Sequence, residues 1–184
     1  MAAMGVKPRR VLCLSGSLRQ VSANTALLQA ARHLAPAGLE LVEYGGLGGL
    51  PLFNPDREID PLPDAVTALR RAVGESDALL IACPEYAHGV PGAFKNLLDW
   101  LVGSLEFPDK PVALLNASGR GSMHAQAALR DILVTMSARM LDSVSATVPL
   151  PGAGCTMGAI LADEARCAEV HVLLKQLAIE LAAA

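Results

Sequence analysis

The chain has 184 residues and a net charge of −3; 52% of its residues are apolar and only 3% are Phe, Trp or Tyr. That length supports a substantial core, and a mildly acidic balance, with a pI near 5.8, leaves no basic footprint for nucleic acid. The four cysteines, Cys13, Cys83, Cys155 and Cys167, form no C-x-x-C pair, which argues against a zinc site or a thioredoxin-like motif and suits a reduced, cytoplasmic setting.

In chain order, Arg9–Leu14 reads as a buried strand that stops at Ser15-Gly16. A polar loop follows, and Leu27, Leu28, Ala31 and Leu34 then repeat at helical spacing until Pro36 and Gly38 stop the helix. Leu39–Tyr44 is a second strand; Glu40 and Glu43 interrupt it and place it near a sheet edge. Gly45-Gly46-Leu47-Gly48-Gly49 matches neither a G-x-G-x-x-G nor a Walker pattern and reads as a flexible connection. Residues Pro51 to Pro63 are irregular. Asp64 is the expected N-cap of a helix whose apolar face is Val66, Leu69, Ala72 and Val73, ending at Gly74.

Asp77–Cys83 is an unbroken apolar strand of the kind covered on both faces. Pro84 ends it, and Pro91 suits the first position of a helix that buries Phe94, Leu97, Leu98 and Leu101. Pro111–Leu115 is a fourth strand, followed by the polar loop Asn116–Ser122 and a helix marked by Leu129, Ile132, Leu133 and Met136. Alternation over Ser143–Val148 predicts an edge strand; Pro149–Gly158 is irregular, and Val170, Leu173, Leu174, Leu177 and Leu181 mark the last helix. Met1–Arg10 holds no apolar core of signal-peptide length. With no apolar run of about 18 residues, the expectation is a soluble protein with no membrane partner.

Five βα repeats imply a parallel sheet with helices on both faces, wound by right-handed crossovers. The expected fold is α/β, one flavodoxin-like domain over residues 1–184 with strand order 2-1-3-4-5. In that order, strands 1, 3 and 4 are neighbours, and their carboxyl-end loops converge. The first loop carries Ser17, Arg19, Ser22, Asn24 and Thr25 at a helix start, a donor set suited to phosphate. Gly16 lets the backbone turn and come close to a ligand. The third loop offers Tyr86 to cover a planar ring, and the fourth offers Ser118 and the N–H groups around Gly119 and Gly121. Phosphate at one end and a flat ring at the other describe a mononucleotide, with flavin mononucleotide (FMN) the best fit.

Gly16-Ser17-Leu18-Arg19-x-x-Ser22-x-Asn24, followed by Pro84-Glu85-Tyr86-x-x-x-x-Pro91-Gly92-x-x-Lys95-Asn96-x-x-Asp99-Trp100, resembles the NAD(P)H-dependent FMN reductase family, which includes quinone and chromate reductases. The resemblance covers nearly the whole chain. It implies bound FMN, NADPH or NADH as donor, a small-molecule acceptor (quinone, chromate, azo compound or flavin), and a homodimer or homotetramer. The cofactor-binding residues it implies are Ser17, Leu18, Arg19, Ser22, Asn24 and Thr25 toward the phosphate. Pro84, Glu85, Tyr86, Ala87, Ser118 and Gly119 are those it implies around the ring. The family often has Asn where this chain has Ala87, so one side-chain contact is lost there while backbone contacts remain open. No side-chain acid or nucleophile is required, and no catalytic residue is assigned.

Simpler readings stand beside these. Glu85 serves loop geometry, Lys95 and Asp99 form a surface pair, His88 is a surface residue, and Arg120 is a solvated loop arginine with an NADPH phosphate as its functional alternative. Trp100 packs a helix end, with a subunit contact as its alternative. Two other functions compete. Cys13 and Arg19 satisfy the C-x-x-x-x-x-R loop of low-molecular-weight phosphatases, in which a thiolate attacks phosphorus. A non-enzymatic FMN electron carrier is the other, although such carriers tend to be more acidic than this chain.

Overall fold

A computed structural model describes residues 7–152 and 154–183. Residues 1–6 of the stretch read as lacking a signal core, and residue 153 of the expected irregular segment, lie outside the described residues. Six strands form one parallel sheet: β1 (Arg9–Ser15), β2 (Leu39–Glu43), β3 (Ala78–Ala82), β4 (Pro111–Ser118), β5 (Arg139–Met140) and β6 (Ala146–Leu150). The order is β2-β1-β3-β4-β5, with β6 also paired to β4.

Side chains alternate across this sheet as strand geometry requires. Val11 and Cys13 of β1 pack with α1 (Ala23–His33), α5 (Met157–Leu161) and α6 (Glu164–Ala182). Leu12 and Leu14 pack with α2 (Asp64–Gly74), α3 (Gly92–Val102) and α4 (Met123–Thr135). Both faces of β3 are covered, and all five of its residues are buried.

The expected fifth strand is split in two. β5 pairs with the start of β4 through Pro111 and Val112, and β6 pairs with its end from Leu115 to Ser118. In the gap, the Ser145 hydroxyl accepts a hydrogen bond from the Leu114 backbone N–H at 3.0 Å, completing a ladder the backbone leaves open. Asn116 pairs with Thr147 and Ser118 with Leu150, so β6 carries one extra residue between them. Pro149 lies in that bulge, where its missing N–H is tolerated. The bulge carries Leu150 and the residues after it toward the loop that follows β4, where the sequence suggests only irregular chain.

Other boundaries shift for local reasons. β4 runs three residues beyond Leu115, so Asn116, Ala117 and Ser118 end a strand. α1 begins at Ala23, four residues before its first Leu, because the Ser22 side chain accepts from the Thr25 N–H and caps the helix. The caps of α2 and α3 are Pro63 and Pro91. Asp64, expected as the cap, is the first helical residue, where its charge suits the helix dipole. Pro91 likewise stands one position ahead of the helix it was expected to begin. The glycine-rich stretch contains a short 3₁₀ turn, Leu47–Gly49, with Leu47 buried, where a flexible connection was expected.

Trp100 is fully buried within its own chain, which excludes the subunit-contact alternative. Its indole N–H donates to the Pro51 carbonyl at 2.8 Å, and its ring meets Phe53 edge-on at 5.0 Å between centroids. Asn96 donates to the same carbonyl at 3.0 Å and accepts from the Phe53 N–H at 2.7 Å. Arg70 pairs with Glu58 and donates to the Trp100 carbonyl. The irregular segment before α2 is thereby fastened to α2 and α3. Trp100→Ala is expected to cost about 3–5 kcal/mol in denaturant unfolding, the range for a buried aromatic cut to Ala; a loss below about 1 kcal/mol would show that the ring is not a keystone.

Candidate functional site

The carboxyl ends of β1, β3 and β4 lie side by side, and the loops that leave them enclose a cleft of about 640 Å³. That volume falls within the range of small-molecule and cofactor sites. Ser17, Arg19, Ser22 and Asn24 line it from the first loop, Pro84, Glu85 and Tyr86 from the second, and Ser118 and Gly119 from the third. Nine of the twelve residues implied by the resemblance therefore share one cavity.

Leu18, Thr25 and Ala87 do not line it. Leu18 points outward, 61% exposed. The Thr25 hydroxyl is engaged with Ser15 at 2.7 Å, beneath the loop. Ala87 sits at an exposed turn tip. Thr25 thus braces the loop. Ser15 accepts from the Ser17 N–H, and Ser17 accepts from the Arg19 N–H, both at 3.3 Å. These short side-chain-to-backbone bonds curl the loop over the start of α1.

Gly16 meets a packing requirement that the sequence did not reveal. Its N–H extends the ladder to the Ala82 carbonyl at 2.9 Å. A Cβ at this position would lie 2.5 Å from the Cys83 sulfur and 3.1 Å from the Cys83 Cα. Only glycine lets the first loop lie against the end of β3.

The third loop is built around Asn116. Its amide donates to the Gly121 carbonyl at 2.6 Å and to the Thr147 hydroxyl at 3.3 Å, and its oxygen accepts from the Ser118 N–H at 3.1 Å. The Ser118 hydroxyl accepts from the Arg120 N–H at 3.2 Å. Ser122 leads into α4 in a left-handed conformation, φ 46°, and its side chain makes no cap bond. The cap comes from the neighbouring loop: the Glu85 carboxylate accepts from the Ala125 N–H at 2.9 Å. Gln126 donates back to the Cys83 carbonyl at 3.4 Å. Glu85 therefore has a definite structural task, in keeping with the simpler reading of this residue.

Sequence reasoning missed several lining residues: Ala23, Cys83, Asn116, Ala117, Ser122 and Leu150 to Gly152. Asn116 was a findable signal, a polar residue placed where an apolar strand ends. The Leu150 segment depends on the β6 bulge and left no local trace.

Charge favours an anion at the α1 end. Arg19 and Arg120 line the cleft, and Glu85, the one lining carboxylate among the described residues, accepts a bond at the start of α4. The α1 N-terminus adds free N–H groups and its dipole. Cys13 takes no part. It lies in the core against α1 and α6, and burial, followed by the nearby Glu43 carboxylate, pushes its thiol up to about 12. A phosphatase nucleophile must be a thiolate facing its substrate, so the Cys13/Arg19 reading fails on both counts. Burial likewise pushes Cys83 up to about 12. Glu85→Ala leaves the α4 N-terminus without its cap and is expected to cost about 1–2 kcal/mol by thermal or denaturant unfolding; unchanged stability would show that the Glu85–Ala125 bond carries no weight.

The comparisons with known proteins agree with this geometry. The model of the NADPH-dependent FMN reductase family matches residues 9–150. The NAD(P)H-dependent FMN reductase of Pseudomonas aeruginosa is 39% identical over 162 residues, covering 85% of this chain and 87% of that protein. The quinone reductase of Escherichia coli K12 is 33% identical over 141 residues, covering 72% and 73%. Among solved structures, the flavoenzyme NAD(P)H:acceptor oxidoreductase FerB of Paracoccus denitrificans superposes with a TM-score of 0.73 at 28% identity, covering 91% of this chain and 96% of that one. A parallel sheet of this order, a cleft at its carboxyl edge and a family match across most of the chain together place the protein in the NADPH-dependent FMN reductase family.

Proposed function

We propose that the chain, folded as one FMN-binding domain, is an NAD(P)H-dependent FMN oxidoreductase that passes electrons to a small-molecule acceptor, with quinones the foremost class. The observation that carries this reading is the single cleft that pairs a phosphate-type donor set at the α1 N-terminus with the loops that leave the neighbouring strands β3 and β4. The donor set is chemically suited to FMN, since it offers hydroxyls, an amide and a guanidinium to a phosphate.

In this reading, Arg19 grips phosphate oxygens, while Ser17, Ser22 and Asn24 donate to the remainder. Ser22 retains its hydroxyl proton for that purpose, because its oxygen already accepts from Thr25 N–H. Pro84, Glu85 and Tyr86 border the ring on one side, and Ser118 and Gly119 border it on the other. Asn116, Gly16 and the Ser15–Thr25 pair hold these groups in position. Bound FMN supplies the hydride-accepting and electron-passing chemistry, and the protein supplies position and electrostatics. Self-association as a homodimer or homotetramer, and a cytoplasmic setting, complete the proposal. No helix among the described residues is long and apolar enough to cross a membrane.

The test is an anaerobic absorption spectrum of the FMN-loaded protein before and after NADPH or NADH. Bleaching of the bound flavin band is expected. Binding without bleaching by either nicotinamide supports an electron carrier instead, and failure to bind FMN removes the reading altogether. Arg19→Ala is expected to weaken FMN binding by about 2–3 kcal/mol, on the order of 100-fold in Kd, the scale of a charge-assisted contact. An unchanged Kd would remove Arg19 from the phosphate site.

A further inference from the structure

His88 and His124 have no part in cofactor binding as described above and do not line the cleft itself, yet they stand together beside residues that do. Their rings stack with centroids 4.4 Å apart and planes 20° from parallel. His88 comes from the turn after β3 and His124 from the first turn of α4. Each is two residues along the chain from a cleft-lining residue, Tyr86 and Ser122 respectively. Both are exposed. Among the described residues, neither ring enters a hydrogen bond or an ion pair, so their nitrogens are free for a group outside the chain.

Two bonds behind the pair fix its spacing: Glu85 to the Ala125 N–H, and Gln126 to the Cys83 carbonyl. The backbone also strains to present His88. Tyr86 and Gly89 exchange backbone hydrogen bonds at 3.1 and 3.0 Å around a two-residue turn. Ala87 and His88 carry φ values of 49° and 59°. A turn of that kind favours Gly or Asn, and the aromatic contact recorded for the His88 ring is the stack on His124. Tyr86, 49% exposed, adds a third ring to the same rim, in a chain with few aromatic residues.

We propose that His88 and His124 form an acceptor-orienting rim beside the cleft, next to the lining residues Tyr86 and Ser122. The pair lies against a planar, carbonyl-bearing acceptor of the quinone class and donates a ring N–H to its oxygen. This rests on the FMN oxidoreductase reading and adds the residues that select the acceptor. A quinone offers both a flat face for the rings and an oxygen that gains negative charge as electrons arrive, where a placed donor is most effective. A compact inorganic oxidant offers no such face. The two histidines are therefore positioning residues for quinones and are irrelevant to an acceptor that takes electrons without docking.

The test compares wild type with the His88→Ala/His124→Ala and His88→Phe/His124→Phe double variants, all loaded with FMN. The Phe pair keeps the stack and removes the donors. KM for menadione is expected to rise about 10-fold in the Ala pair, the scale of one or two lost contacts, and to stay raised in the Phe pair. FMN affinity, flavin bleaching by NADPH and ferricyanide reduction are expected to match wild type in both. Menadione titrated into oxidised, FMN-loaded wild type is expected to shift the imidazole C–H signals of both histidines in NMR spectra. A menadione KM within twofold of wild type in the Ala pair overturns the proposal, as does an equal loss of ferricyanide reduction, which would mark a structural role. If wild type neither binds FMN nor bleaches, the oxidoreductase reading falls and takes this proposal with it; if wild type passes both tests, a negative result in the variants counts against the histidine pair alone.

Discussion

Parallel pairing of β1, β3 and β4 is the constraint on which the cleft depends. Parallel neighbours present their carboxyl ends at the same edge, so three loops far apart in sequence must emerge together. Register then decides how closely they meet. The Ser15–Ala82 pairing brings the ends of β1 and β3 level, and from the Ala82–Leu115 pairing β4 runs three residues farther, to Ser118. The Gly16 N–H adds one more rung to the Ala82 carbonyl. At that point the first loop passes so close to Cys83 that a methyl group does not fit. The glycine that reads in the sequence as a ligand contact is first of all a packing requirement between two strand ends.

The loops are then tied to one another by side chains. Glu85, from the loop after β3, completes the N-terminus of α4, and Gln126 of α4 returns a bond to the end of β3. Asn116 bridges its own loop to β6. A cleft assembled in this way is held open by bonds that do not involve a ligand, which lowers the ordering cost of binding one. Arg19 and the α1 N-terminus bring positive charge to that end, while Glu85 lies against the start of α4.

The sequence made legible whatever is local. β1, β3 and α3 show as apolar periodicity, and the cluster Ser17, Arg19, Ser22 and Asn24 shows as polar residues at a helix start. Boundaries and supports were harder to read, because long-range bonds set them. The Glu85–Ala125 bond spans 40 residues, and the Ser145 hydroxyl that bridges the break between β5 and β6 acts across 31. Neither alters local composition. β5, with two residues, is too short to show a period. Thr25 shows a support the motif did not reveal: its hydroxyl is engaged with Ser15. Cys13 fits a phosphatase pattern by spacing alone, and strand alternation turns it away from the cleft and into the core.

The central claim is that the β1–α1 loop grips a phosphate while the loops after β3 and β4 border a flavin ring. Comparing the affinities of FMN and riboflavin tests it most directly, because the two ligands share the ring and ribityl chain and differ only in the phosphate. The account predicts that FMN binds at least about 100-fold more tightly, the scale of two or three charge-assisted contacts. Equal affinities would contradict it, showing that the Ser17–Asn24 loop contributes nothing to recognition of the cofactor.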